Sequence, residues 1–341
     1  MEFIDKIILP KENYETFSIE NNIDKAKQII HEVQTKSSQD SECFLSFYPL
    51  AKNIRFISSH FFKAIKSSRR PILSSNGRAG EDSFWKMNTQ DNWFPWLWTR
   101  CYEKNNSNQE SWSNIFKPIE DVISLTDGNF TEEKINDFIV YLTCLGHTFR
   151  LENIFEKYLI ERYANVMWPD NMPICGLQIR RGEIVPQHGD IKQAWNGRPL
   201  FHVKDYMIGV EKVCNSLNTE NVFVSTDSIE VIDYLTNNYK NYNFIYNNFN
   251  RKLFISYTGS DPHLEIDLQK QPQLIQHYTE SCLIDLLCLS RCKGFIGGMS
   301  FSEYGVCGWF LQMVKQKKIY PYFNVEGELD FNNPRNGMLL V

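Results

Sequence analysis

The chain has 341 residues, enough to bury a full core and to divide into two domains, since single cores stop growing near ~250–300 residues. Its hydrophobic fraction of 42% and charged fraction of 23% are ordinary for a soluble globular protein. A net charge of -5 excludes a general polyanion partner such as nucleic acid, which needs a basic face, so an anion must bind in a local pocket.

The start, MEFIDKIILPKENYE, lacks a basic segment leading into an apolar one, and no stretch reaches ~18 apolar residues. The expectation is a cytoplasmic protein with neither signal peptide nor membrane anchor. A loose, polar N-terminus carries a helix around Asp24–Gln34, and apolar spacing predicts a second helix over Ala51–Lys66 with a short strand at Pro71-Ile72-Leu73. The basic run Lys66–Arg70 reads as a solvated helix end. Aromatic residues crowd Trp85–Trp98, where ring density favours core over a sugar-stacking platform. Glu103–Ser113 reads as an exposed loop, followed by helical patterning over Glu132–Cys144 and Leu151–Met167.

From Ile174 the pattern becomes regular. Strands are expected at Ile174–Ile179, Asn221–Ser225, Asn243–Tyr246 and Gly294–Ile296, with Lys318-Ile319-Tyr320 closing the set. Helices are expected between them at Val203–Leu217, Ser228–Tyr239 and Ser281–Ser290, and after them at Ser302–Val314. Strands alternating with helices of about a dozen residues imply parallel pairing with right-handed crossovers, and such sheets bind ligands at the carboxyl ends of their strands. The expected boundary falls near Pro169–Pro173, giving domains 1–168 and 169–341.

Four segments carry chemistry. Strand Ile174–Ile179 runs into Arg180-Arg181-Gly182-Glu183, which puts two guanidinium forks where phosphate oxygens would sit; an ordinary ion-pair network with Glu183 is the competing reading. Ser225-Thr226-Asp227-Ser228 ends the next strand, and Asp227 either caps the following helix or orients an arginine from the neighbouring strand end. Asp285 lies in the apolar helix Leu283-Ile284-Asp285-Leu286-Leu287. A buried carboxylate there needs a hydrogen-bond partner, a nucleobase or an arginine, unless it sits exposed on the helix rim. Gly297-Gly298-Met299-Ser300-Phe301-Ser302-Glu303 leads a strand into a helix. Its small residues admit a phosphate to the helix N-terminus, compatibly with Ser302 as a plain N-cap. The nine cysteines are scattered, odd in number and without C-x-x-C spacing, which indicates neither a zinc site nor a disulfide framework.

In this order the segments resemble the fucosyltransferase superfamily that includes the α1,6-, α1,2- and protein O-fucosyltransferases. The family's H-x-R-R-x-D motif stands here as Gln178-Ile179-Arg180-Arg181-Gly182-Glu183. The likeness to the α1,6 branch continues through Phe201-His202-Val203-Lys204-Asp205-Tyr206-Met207, Val222–Asp227, Leu283-Ile284-Asp285 and Ser300-Phe301-Ser302. The resemblance implies a GT-B-like α/β fold of two Rossmann-like domains, the C-terminal one a doubly wound parallel sheet. It also implies a GDP-fucose donor, a glycan acceptor and a metal-independent inverting transfer; no D-x-D triplet is present. By position, Arg180 would grip the β-phosphate, Arg181 brace the loop, Gln178 and Asp285 face the base, Ser300, Phe301 and Ser302 contact the diphosphate, and Asp227 match an essential acidic position. Inversion needs a base for the acceptor hydroxyl. Ungapped spacing brings the family's base position to His188, with Glu183 and Asp190 beside it, and a plain polar loop is the alternative. Gln178 in place of the family's His keeps open a transferase with another nucleotide-sugar donor, and the uncertain base keeps open a non-catalytic relative.

Overall fold

The structure, a computed structural model, describes residues 19–43, 50–73, 116–125, 137–163, 168, 172–181, 201–251, 272–298 and 302–327. The chain divides into two compact units. One gathers the described residues up to Glu156 with 313–319, the other 157–312 with those from Tyr320 onward. No described helix is long and apolar enough to cross a membrane.

In the first unit, α1 (Ile19–Lys36), α2 (Leu50–Lys66) and α3 (Asp137–Thr148) bury Ile23, Ile30, Ile54, Ile57, Phe61 and Leu145. Strands β1 (Asp40–Cys43) and β2 (Arg70–Leu73) pair in parallel across α2. β1 was not expected, because Asp-Ser-Glu-Cys lacks strand residues. Its pairing is fixed at the end, where Asp40 lies opposite Arg70 and takes both forks of the guanidinium, Nε to Oδ1 at 2.8 Å and Nη2 to Oδ2 at 3.1 Å. The helix expected from Leu151 begins instead as α4 (Asn153–Tyr163), whose residues from Lys157 belong to the second unit, since Leu151 bridges to Phe116. The aromatic span Trp85–Trp98 lies outside the described residues.

The second unit is the regular one: β3 (Cys175–Ile179), α5 (Val203–Leu217), β4 (Asn221–Thr226), α6 (Ile229–Asn238), β5 (Asn243–Ile245), α7 (Pro272–Arg291), β6 (Gly294–Gly297), α8 (Glu303–Gln316) and β7 (Tyr322–Asn324). The strand order is β5-β4-β3-β6-β7, every pair parallel. The chain therefore winds outward from β3 in one direction to β5, then returns to β6 and winds the other way, so a topological switch point lies between β3 and β6. Alternation along the strands gives each face its own neighbours. Cys175, Leu177, Ile179, Val222, Val224 and Ile296 pack with Val210 and Val213 of α5 and Val231, Ile232 and Leu235 of α6. Burying each such aliphatic side chain stabilises the fold by roughly 1.5–3 kcal/mol. On the other face, Gln312 of α8 is buried and donates to the carbonyls of Cys292 (2.9 Å) and Gly294 (3.0 Å), tying α8 to the turn from α7 into β6.

Two elements differ from expectation. The closing strand is Tyr322–Asn324, not Lys318-Ile319-Tyr320. α8 runs on to Gln316 and is ended by Lys317 at φ 51, with the Lys318 N–H reaching back to Met313. Only after Pro321, whose carbonyl accepts from Phe295, does the ladder form. α7 begins at Pro272, nine residues before the expected Ser281, and proline suits a first helical turn because its missing N–H has no intrahelical partner there. Its added turns are tied down by Glu280, fully buried, which accepts from Tyr158 Oη at 3.0 Å and pairs with Arg162 Nε at 3.2 Å.

Candidate functional site

The carboxyl ends of β3 and β4 carry Arg180-Arg181 and Asp227, side by side because Ile179 lies opposite Thr226 in the ladder. Asp227 does not cap α6. Ser228 does, accepting from the Val231 N–H at 3.4 Å, while the Asp227 carboxylate accepts the Arg181 backbone N–H at 2.8 Å. It thus fixes the chain at the point where the arginines leave the sheet. The Arg181 guanidinium donates to the Phe201 carbonyl just ahead of α5. Burial pulls its pKa down, against the opposing pull of Tyr206, Asp227 and Asp205, and burial pushes Tyr206 up to about 12. His202 occupies the N-cap of α5, where Asp205 Oδ2 accepts its backbone N–H at 2.8 Å.

A pocket opens on the α7 side of these strand ends. It is lined by Gln178 and Arg180 from β3, Ser225 and Asp227 from β4, Phe249 beyond β5, Tyr278, Ser281 and Asp285 from α7, and Tyr304 from α8. The α7 residues fall at i, i+3 and i+7, one stripe of a helix. Asp285 is not on an exposed rim, being only 4% accessible. Asn247 Nδ2 donates to its Oδ1 at 2.5 Å and to Ser281 Oγ at 3.2 Å, and Ser225 also hydrogen-bonds the carboxyl. Burial nevertheless raises its pKa to about 6, despite the Arg251 charge and these hydrogen bonds acting the other way. Tyr304 sits above it, with its hydroxyl donating to the Cys282 carbonyl at 2.6 Å. The lining offers a carboxyl, hydroxyls and an amide to the edge of a flat polar ring, three aromatic side chains, and a guanidinium.

Ser302 stands at the start of α8, and Gln178 of β3 reaches that helix start. Ser302 is the N-cap, its Oγ accepting from the Gly305 N–H at 3.0 Å. A Cβ on Gly305 would stand 2.8 Å from the Gly298 carbonyl oxygen and 3.0 Å from Gln178 Oε1, so the glycine lets β3, the end of β6 and the helix start converge. Gly305→Ala should destabilise the protein by about 1–3 kcal/mol, read from urea unfolding, because the backbone carbonyl has nowhere to yield. An unchanged midpoint would refute that packing.

Of the expected site residues, Gln178, Arg180, Arg181, Asp227, Asp285 and Ser302 fall within this one end of the sheet, and all but Arg181 and Ser302 line the pocket. Glu183, His188, Asp190, Ser300 and Phe301 lie outside the described residues. Asn247, Phe249, Arg251, Tyr278, Ser281 and Tyr304 were not anticipated. A signal for the first three existed, since Asn247–Arg251 directly follows the carboxyl end of a parallel strand. Among the described residues no group of three or more His, Cys, Asp or Glu is placed to hold a metal ion.

No family model matches the chain, and no curated protein matches its sequence. Among solved structures it is similar to the fucosyltransferase NodZ from Bradyrhizobium, with TM-score 0.42 and 12% identity over 86% of this chain and 98% of that one. It is also similar to NodZ alpha-1,6-fucosyltransferase soaked with GDP-fucose, with TM-score 0.40 and 12% identity over 80% of this chain and 93% of that one. A likeness of this degree assigns neither residue nor substrate.

Proposed function

We propose that the chain is an inverting glycosyltransferase that moves L-fucose from GDP-fucose to a glycan hydroxyl, with 1–168 forming the acceptor side and 169–341 the donor side of a GT-B arrangement. The observation that carries the reading is the placement of Arg180. It leaves the central strand beside the switch point and lines the same pocket as the buried acceptor Asp285. That spacing suits a diphosphate at the rim and a base within. The motif order Arg180-Arg181, Asp227, Asp285, Ser302, which resembles that of fucosyltransferases, supports the sugar and the guanine.

In the reaction, a base takes the proton of the acceptor hydroxyl as its oxygen attacks the anomeric carbon. The bond from that carbon to the β-phosphate oxygen breaks, and GDP leaves with the added negative charge. Arg180 neutralises that charge, a contribution that grows in the transition state. Asp227 maintains the arginine geometry through the Arg181 N–H. Glu183, His188 and Asp190 are the candidates for the base.

Calorimetry with GDP, UDP and dTDP tests the donor. GDP should bind at least about tenfold more tightly than either pyrimidine nucleotide, because a carboxylate can accept two adjacent N–H groups from guanine and only one from uracil or thymine. Equal affinities would move the proposal to another nucleotide-sugar donor, the reading that Gln178 in place of the family's His favours.

A further inference from the structure

We propose that Arg251 is a positioning residue of the nucleotide pocket, which through Asn247 holds Asp285 in the orientation that accepts hydrogen bonds from a bound base. The inference rests on the nucleotide-binding reading above. Arg251 is 3% accessible, and its donors close the turn after β5 beneath the end of β4. Nε donates to the Thr226 carbonyl at 2.8 Å, and Nη1 to the carbonyls of Asn247 at 2.9 Å and Phe249 at 3.2 Å. Nη2 donates to Asn247 Oδ1 at 3.3 Å, and the Phe249 N–H donates to the same oxygen at 2.9 Å.

Two donors on Asn247 Oδ1 fix which way the amide faces, because a flipped amide would set NH2 against both of them. Its Nδ2 must then point to Asp285 Oδ1 at 2.5 Å and Ser281 Oγ at 3.2 Å. A carboxylate has about four acceptor positions, so Asp285 retains capacity for a ligand after these bonds and that of Ser225. Both neighbours of the turn, Phe249 and Asp285, line the pocket, whereas Arg251 itself does not. It acts through them.

The guanidinium charge has a second effect. Asp285 is faced by Arg251 from this turn, by Asp227 from the end of β4, by Tyr304 from α8 and by Cys288 from its own helix. Arg180 lines the same pocket from the end of β3, and Arg251 is the cation whose charge acts on the carboxyl, favouring its ionised form.

The test is GDP binding by calorimetry from pH 5 to pH 8 for wild type, Arg251→Gln, Arg251→Lys and Asn247→Ala, each checked for folding by circular dichroism. Wild-type affinity should rise with pH as Asp285 ionises. In Arg251→Gln that rise should move to higher pH by about one unit, which weakens binding about tenfold at pH 5, about fivefold at pH 6 and little at pH 8. Arg251→Lys should keep the wild-type midpoint, since it keeps the charge, with affinity lowered at every pH by loss of the fork. Asn247→Ala should weaken binding several-fold without removing the cation. If Arg251→Gln does not fold, the lysine and Asn247 variants decide. Wild-type GDP affinity in Asn247→Ala, or a Lys midpoint displaced by a full unit, overturns the proposal. So does an Arg251→Gln loss of equal factor at all pH values. A wild type that binds no GDP at any pH instead overturns the nucleotide reading on which it rests.

Discussion

Arg180→Ala is expected to lower kcat/KM for fucosyl transfer by about 10²–10³-fold while leaving the unfolding midpoint within experimental error. Arg180 lies one residue past β3, so its side chain closes no rung of the ladder, and its removal takes from the site a charge that matters most as the diphosphate departs. Arg180→Lys should recover part of the loss, because the point charge returns without the two-pronged fork. Arg181→Ala is the informative contrast. Its guanidinium holds the Phe201 carbonyl, a bond that alanine cannot make, so the variant should lose stability, by about 1–3 kcal/mol, as well as activity, although its backbone N–H still donates to Asp227. Donor-hydrolysis and transfer assays with urea unfolding on the same preparations check all three. Wild-type turnover in Arg180→Ala would remove the phosphate-clamp reading, and an equal stability loss in both alanine variants would reduce the pair to a structural ion network.

The parallel sheet of the second unit was legible because its signals are local. Val-Phe-Val at 222–224 and Phe-Ile at 295–296 are buried on both faces, and the helices between carry single apolar stripes such as Tyr206, Val210 and Val213. The strand ends then point to Arg180, Arg181 and Asp227, since a parallel α/β sheet leaves little choice of where ligands sit. What escaped was whatever depends on a partner distant in sequence. Asp40–Cys43 reads as a polar loop until Arg70 lies opposite Asp40. Tyr322–Asn324 becomes the last strand because Lys317 and Pro321 displace the ladder downstream. Arg251 and Asn247 look like ordinary turn residues, and only the fold brings them against Asp285, thirty-odd residues further along. The stripe Tyr278-Ser281-Asp285 was half seen: Asp285 stood out as a carboxyl among leucines, whereas its helical neighbours did not.

The stability of Asp285→Asn relative to wild type is expected to rise by about 2.4 kcal/mol between pH 4 and pH 7. An aspartate in the unfolded chain ionises near 3.8, whereas Asp285 in the fold ionises at about 6, because burial opposes the charge more than Arg251, Ser225 and Asn247 favour it. Stability contributed by the protonated carboxyl is therefore complete below the unfolded value and is lost as the pH rises through about 6. The asparagine is neutral throughout and escapes that loss. Its NH2 placed against Asn247 Nδ2 adds an offset, but one independent of pH, so the slope of the difference is the diagnostic quantity rather than its sign at any single pH. Urea unfolding of the two proteins across that range would give it, and a flat difference would show that Asp285 does not titrate in the fold as described. The same substitution should weaken GDP binding at neutral pH by about 10²-fold, since hydrogen bonds to an ionised acceptor are each worth ~1.5–3 kcal/mol. The two results together carry the functional argument. A buried carboxyl that lowers stability at neutral pH has no reason to persist as packing, where leucine or asparagine would serve the fold better. Its position on a pocket wall, oriented by Asn247 and overlooked by Arg180, is the position in which an ionised acceptor contributes to binding what it subtracts from folding.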